Sequence, residues 1–123
     1  MAKILIVDDD EDFVSAVNLV LKSNGFDVAI ANSRQEGMEK FDEDNPDLVL
    51  LDVMMDEPDD GFVMAQSLKK KAKDIPILML TNIGQVIGMD FDKDSEMVPV
   101  DDFEQKPIMP NILLEKINQL LGK

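Results

Sequence analysis

The sequence predicts an α/β fold in which helices cover both faces of a parallel β-sheet. Short runs that are apolar throughout, such as Ile4–Val7 and Leu48–Leu51, are typical of strands buried on both faces. Longer segments with apolar residues at helical spacing separate these runs. This alternation favours a parallel sheet with right-handed crossovers. The 123 residues are enough for one domain, residues 1–123, with a substantial core.

The first half of the chain contains strands predicted at Ile4–Val7, Phe26–Ala31 and Asp47–Leu51. The helix between the first two has one apolar face, made by Phe13, Val17, Val20 and Leu21. It should end at Asn24-Gly25, because glycine suits the left-handed position after the last turn. Ser33 and Glu36 match a capping box for the next helix, which Asn45-Pro46 ends.

The second half continues the alternation. Phe62, Ala65 and Leu68 predict a third helix that ends near Lys73, where a lysine cluster complements the helix dipole. The remaining strands are predicted at Ile75–Leu80 and Val98–Phe103, and the closing helix begins near Pro110. Between them, residues 82–97 contain two glycines and three aspartates, so we expect a loop with at most a short helical turn.

Composition excludes several classes of protein. The chain has no cysteine and no histidine, which excludes disulfides, thiol catalysis and thiolate metal sites and is compatible with a cytoplasmic location. A net charge of −14 opposes binding to nucleic acid. No apolar stretch approaches the roughly 20 residues that a membrane span requires.

Acidic and polar residues stand where the predicted strands end. Asp8-Asp9 follow the first strand, Asp52 the third and Thr81 the fourth. The carboxyl ends of parallel strands share one edge of a doubly wound sheet, which is where such sheets bind ligands. Because clustered carboxylates repel one another, we expect a cation to bind between them. Coordination by oxygen alone favours magnesium, manganese or calcium.

Each of these residues also has a purely structural interpretation. Asp8 or Asp9 could cap the first helix, and Asp10 or Glu11 could favour its positive end. Thr81 could satisfy backbone groups at a strand end. Lys106, which precedes Pro107 after the fifth predicted strand, would alone be a surface lysine. Phe103, three residues before it, would alone be a core aromatic residue. The functional interpretation depends on their combination.

In this combination and order, the chain resembles the receiver domain of two-component response regulators over essentially its whole length. The matching residues are Asp8, Asp9, Asp52, Thr81, Phe103 and Lys106-Pro107. The resemblance implies a flavodoxin-like, doubly wound sheet of five parallel strands in the order 2-1-3-4-5. It also implies a phosphoacceptor switch in a phosphorelay. Because 123 residues hold no second domain, we expect either a stand-alone receiver or a piece of a longer chain.

The resemblance implies a role for each matching residue. Asp52 would be the nucleophile and the site of phosphorylation. Mg²⁺ would be held by Asp9, Asp52 and the backbone carbonyl of Met54, with Asp8 acting mostly through water.

The remaining matches concern the phosphoryl group and the switch. Lys106 would pair with Asp52 and then with the phosphoryl oxygens, and Thr81 would donate a hydrogen bond to one of them. Thr81 and Phe103 would form the switch. The Lys106–Pro107 peptide bond would be cis.

The implied partners are a histidine kinase or histidine phosphotransfer protein and an unidentified downstream protein. The protein would not be a turnover enzyme, and it would bind neither nucleic acid nor membrane. Because the loop expected after Thr81 weakens the usual dimer surface, we expect a monomer.

The sequence departs from the family pattern in two places. Asp56 stands where the family usually has proline, Glu57 adds another acid beside the metal site, and Asn82 replaces a small residue. These departures keep open an alternative, a degenerate receiver that acts as a docking module without phosphorylation.

Two other classes are disfavoured by single features. A haloacid-dehalogenase-type phosphohydrolase needs an acid where Met54 stands, two residues after the nucleophile. A flavodoxin-like cofactor binder needs a phosphate loop after the first strand, where this chain is acidic.

Overall fold

The structure is a computed structural model that describes residues 2–52, 60–82, 102–106 and 109–122. Strands and helices alternate within these ranges, which confirms the predicted α/β class. The elements are β1 (Lys3–Val7), α1 (Glu11–Ser23), β2 (Asp27–Ala31), α2 (Arg34–Asp44), β3 (Leu48–Asp52), α3 (Asp60–Lys71), β4 (Ile77–Asn82), β5 (Asp102–Lys106) and α4 (Pro110–Leu120).

The described strands form one sheet in the order β2-β1-β3-β4-β5. Every neighbouring pair is parallel, as the continuous apolar runs predict. Val7 is level with Ala31 of β2 on one side and with Leu51 of β3 on the other. The carboxyl ends of the strands therefore meet at one edge of the sheet.

The sheet separates two apolar cores. Residues that alternate along β1 and β3 face opposite sides: Val7 and Leu51 lie in one core, and Ile6 and Leu50 in the other. The first core packs against α2 and α3 through Phe41, Met64, Ala65 and Leu68. The second packs against α1 and α4 through Val14, Val17, Leu21, Leu113 and Ile117. This arrangement explains why the central strands carry no polar alternation.

Helix α2 approaches the sheet closely at Gly37. A Cβ atom there would lie 2.6 Å from Met64 Cε and 3.0 Å from both γ carbons of Val7. Met64 and Val7 are fully buried, so neither side chain can move into solvent. A side chain at position 37 would therefore require Met64 and Val7 to shift.

The helix ends follow the sequence signals closely. Gly25 has φ 86° just after α1, as expected for a glycine in the left-handed region. Ser33 caps α2, and its Oγ accepts the N–H of Glu36 at 3.1 Å. The Glu36 carboxylate accepts the N–H of Asn32 at 2.6 Å, so the reciprocal bond reaches one residue earlier than in the predicted box. Pro110 opens α4 as predicted.

All five strands differ from their predicted bounds, β1 and β2 by one residue at the start and β3, β4 and β5 at both ends. β3 extends through Asp52, so the carboxylate belongs to the strand itself. β4 begins at Ile77 because Pro76 has no N–H to donate, although its carbonyl accepts the N–H of Val49 at 3.0 Å. β5 runs from Asp102 to Lys106 and overlaps the predicted strand only at its first two residues.

The lysine cluster at the end of α3 makes structural contacts, which supports its interpretation as a helix end. Lys69 Nζ donates to the carbonyl of Ile75 at 2.6 Å. Lys71 Nζ lies 2.7 Å from a carboxylate oxygen of Asp42 on α2.

Among the helices that the structure describes, none is long and apolar enough to cross a membrane.

Several predictions concern residues outside the described ranges. These are the Met54 carbonyl, the departures at Asp56 and Glu57, the loop between Thr81 and Val98, and the cis bond at Pro107. They remain predictions.

Candidate metal and phosphoacceptor site

Three carboxylates meet at the carboxyl edge of the two central strands. Asp8 and Asp9 directly follow β1, and Asp52 is the last residue of the neighbouring β3. One carboxylate oxygen from each lies within 4.8 Å of the other two. The side chains predicted to form the acidic site therefore do converge.

The three acids differ in their access to solvent. Asp8 is 1% exposed and Asp52 is 4% exposed, whereas Asp9 is exposed. Carboxylates this buried need compensating partners, because an isolated buried charge is costly. Both Asp8 and Asp52 have further interaction partners in the structure. Asp9 leaves one side of the cluster open to an approaching ion.

A tight turn fixes the first of these acids. The backbone N–H of Asp8 donates to the carbonyl of Ala31 at 3.0 Å and extends the β1–β2 ladder by one bond. Its Oδ1 accepts the N–H of Asp10 at 2.9 Å. The chain thus turns from the sheet into α1 across residues 8–10, with Asp9 in the middle.

The structural alternative for the first two acids, in which Asp8 or Asp9 caps α1, is wrong. Asp10, rather than Asp8 or Asp9, is the N-cap, and its Oδ1 accepts the N–H of Phe13 at 3.1 Å. Asp8 cannot fill this role because its backbone still belongs to the sheet.

The next two strands bring further predicted residues to the same edge. Thr81 and Asn82 are the last residues of β4, and Lys106 is the last of β5 rather than a residue that follows it. Asp52 is level with Leu80, the residue before Thr81. Asn82 is level with Lys106. The backbones of Thr81 and Lys106 therefore lie at the ends of β4 and β5, at the same edge of the sheet as Asp52.

Phe103 lies lower in the sheet than these residues. Its backbone is level with Met79, two residues before Thr81 on β4. The two predicted switch residues are therefore on adjacent strands but not side by side.

The donor atoms of the cluster fit a hard divalent cation. All three are carboxylate oxygens, the ligands that magnesium prefers. Two oxygens on opposite sides of Mg²⁺ lie roughly 4.2 Å apart, since each bond is about 2.1 Å. The observed spacing of up to 4.8 Å allows two carboxylates to bind directly and the third through water.

Sequence comparison finds similarity to response regulators over nearly the whole chain. The sequence model of the response regulator receiver domain family matches residues 4–118. The alkaline phosphatase synthesis transcriptional regulatory protein of Bacillus subtilis is 32% identical over 125 residues, which cover 98% of this chain and 49% of that protein. A DNA-binding dual master transcriptional regulator of Synechocystis is 35% identical over 125 residues, which cover 100% of this chain and 50% of that protein.

Solved structures of response regulator receiver domains also resemble this chain. A response regulator receiver domain protein from Clostridium thermocellum superposes with a TM-score of 0.87 at 25% identity, covering 99% of this chain and 95% of that one. One from Methanospirillum hungatei gives a TM-score of 0.83 at 27% identity, covering 98% and 94%.

The chain belongs to the family of receiver domains of two-component response regulators. This membership decides against the phosphohydrolase and cofactor-binding classes. The chain spans about half the length of the curated relatives it matches.

Proposed function

We propose that residues 1–123 form one receiver domain, on a sheet of five parallel strands, that accepts a phosphoryl group on Asp52. The observation that carries this proposal is the Asp52 carboxylate, 4% exposed at the end of a central strand, with Asp8 and Asp9 oxygens within 4.8 Å. A carboxylate in this setting is shielded from bulk water and lies beside ligands for a divalent cation. Family membership supports the same assignment.

The phosphoryl group would come from a phosphohistidine of a histidine kinase or phosphotransfer protein. An Asp52 oxygen attacks the phosphorus, a new O–P bond forms, and the N–P bond to the histidine breaks. The departing imidazole keeps the bonding electrons and takes up a proton. The product is an acyl phosphate, a covalent modification of this chain rather than a released product. The protein is therefore a switch and not a turnover enzyme.

Magnesium is the proposed cofactor, and this chain would hold it through Asp9, Asp52 and the Met54 carbonyl. Asp8, which is the more buried of the first pair, would act through water. When bound, the ion offsets the repulsion between an anionic phosphoryl group and the carboxylates. The oxygen-only donor set and its spacing support this assignment.

The ends of β4 and β5 would complete the site. We assign Lys106 to pairing with Asp52 and later with the phosphoryl oxygens, and Thr81 to a hydrogen bond with one of those oxygens. Phe103 and Thr81 would report phosphorylation to the surface. A cis Lys106–Pro107 bond would turn the chain sharply after β5. The strand-end positions of Lys106 and Thr81 support this set.

Output would pass through protein–protein contacts, and we propose a monomeric, cytoplasmic receiver that touches neither nucleic acid nor membrane itself. Relatives twice as long are named transcriptional regulators. A covalent link to an output module and a separate downstream partner are both compatible with this proposal.

Intact-mass spectrometry after incubation with acetyl phosphate and Mg²⁺ tests the proposal. We expect wild type to gain one phosphoryl group and Asp52→Asn to gain none. Asp74→Asn is the matched control, since it removes one negative charge at an exposed turn before β4. It should be labelled like wild type.

Two results would contradict this function. Equal labelling of Asp52→Asn would show that another residue is the acceptor. If wild type gained no phosphoryl group from acetyl phosphate or from a phosphorylated histidine phosphotransfer protein, the phosphorylation-independent docking module would be the better interpretation.

A further inference from the structure

Asp10 connects the acidic site to the first helix through two hydrogen bonds made in opposite directions. Its backbone N–H donates to Asp8 Oδ1 at 2.9 Å, and its own Oδ1 accepts the N–H of Phe13 at 3.1 Å. Its carbonyl also accepts the N–H of Val14 at 2.9 Å. Asp10 therefore closes the turn that begins at Asp8 and also starts helix α1.

The helix side of this connection is rigid. Val14, Val17 and Leu21 anchor α1 in the core and are 5% exposed or less. The Asp10 cap closes the first turn of α1, directly before Val14. The direction of the Asp10 N–H thus depends on how firmly the helix start is held.

The site side of this connection is held at both ends of the turn. Asp9 lies between Asp8, which is bonded to β2, and Asp10, which is bonded to α1. Because both ends of this short turn are fixed, the Asp9 backbone is fixed as well. An exposed ligand such as Asp9 loses less freedom on binding a cation when its backbone is already ordered.

We propose that Asp10 is a positioning residue for the cation site. It binds no ion; it orients the Asp8 carboxylate through its backbone N–H, and its side-chain cap of α1 holds that N–H in place. The inference rests on the proposed function, since it assumes that Asp8 and Asp9 serve a divalent cation. It assigns to the α1 cap a part in metal affinity that goes beyond helix stability.

Titration of the full chain with Mg²⁺, followed by amide chemical shifts, tests the inference with three variants. Asp10→Ala removes both the charge and the cap, whereas Asp10→Asn removes the charge and keeps a good cap. Ser33→Ala removes the equivalent cap of α2, where Ser33 Oγ accepts the N–H of Glu36 at 3.1 Å. It therefore measures the effect of losing a cap away from the acids.

We expect Asp10→Ala to bind Mg²⁺ about tenfold more weakly than Asp10→Asn, as for other residues that orient a metal ligand. Amide exchange at residues 10 and 13 should become faster in Asp10→Ala alone. Ser33→Ala should lose stability like Asp10→Ala but retain wild-type Mg²⁺ affinity. Should Asp10→Ala not fold, Asp10→Gly removes the same carboxylate at a smaller cost to the helix.

Equal Mg²⁺ affinity in Asp10→Ala and Asp10→Asn would overturn the inference, because only the charge would then matter. Equal weakening by Ser33→Ala would overturn it too, since the effect would be one of general stability. Absence of Mg²⁺ binding in wild type would instead be a failure of the proposed function, and the wild-type titration reveals it separately.

Discussion

The buried pair Asp8 and Asp52 should destabilise the metal-free protein, and Asp52→Asn isolates this effect. The substitution removes the charge and keeps the size of the side chain. Two unit charges 4.8 Å apart repel by about 3.5 kcal/mol at an effective dielectric constant of about 20. Because both acids have further interactions in the structure, the substitution changes more than this repulsion alone. We therefore expect a net gain of about 1 to 2 kcal/mol in the free energy of unfolding.

Thermal denaturation followed by far-ultraviolet circular dichroism measures this gain. For a domain of this size it should raise the Tm of the metal-free protein by roughly 3–10 °C. Mg²⁺ at ten times its Kd should stabilise wild type by about 1.4 kcal/mol and stabilise Asp52→Asn less. Asp74→Asn, the exposed control, should stay within about 0.5 kcal/mol of wild type.

Two outcomes would refute this reasoning. The first is a metal-free Asp52→Asn protein that is no more stable than wild type. The second is an equal Mg²⁺-induced rise in Tm for both proteins. Either result would mean that Asp52 does not share a repulsive, cation-binding cluster with Asp8.

Two further predictions follow from the packing of α2 and from the sequence after β4. Gly37→Ala should lower the free energy of unfolding by about 1–2 kcal/mol in urea denaturation, because contact with Val7 and Met64 outweighs the gain in helix propensity; a more stable variant would contradict the close approach of α2. Amides in residues 83–98 should exchange within seconds and gain protection once Asp52 is phosphorylated, and strong protection before phosphorylation would indicate a stable helix instead.

The convergence of the acids could be predicted from the sequence because it depends on topology alone. Continuous apolar strands must be parallel and covered on both faces, so residues that follow them share one edge. The strand pattern alone was enough to predict that Asp8 and Asp52 lie at the same edge of the sheet. The departures were local, as at β4, where the strand begins after Pro76.

Features that depend on how elements pack could not be predicted in the same way. The cap of α1 falls on Asp10 because the N–H of Asp8 is bonded to β2, a contact 23 residues away in sequence. Nothing in the sequence near Gly37 indicates that Val7 and Met64 will meet it. Short-range patterns specify elements, whereas contacts between elements decide which candidate residue takes each role.

The division of the strands between two cores has a consequence for the evolution of this domain. A shift of β1 by one residue would exchange the sides of Ile6 and Val7 and disrupt both cores at once. An insertion or deletion within a central strand therefore removes the fold before it can move a carboxylate. The loops carry no such constraint. Sequence changes between the elements, such as the departure from the family pattern after Asp52, therefore leave the acids at the strand ends in place.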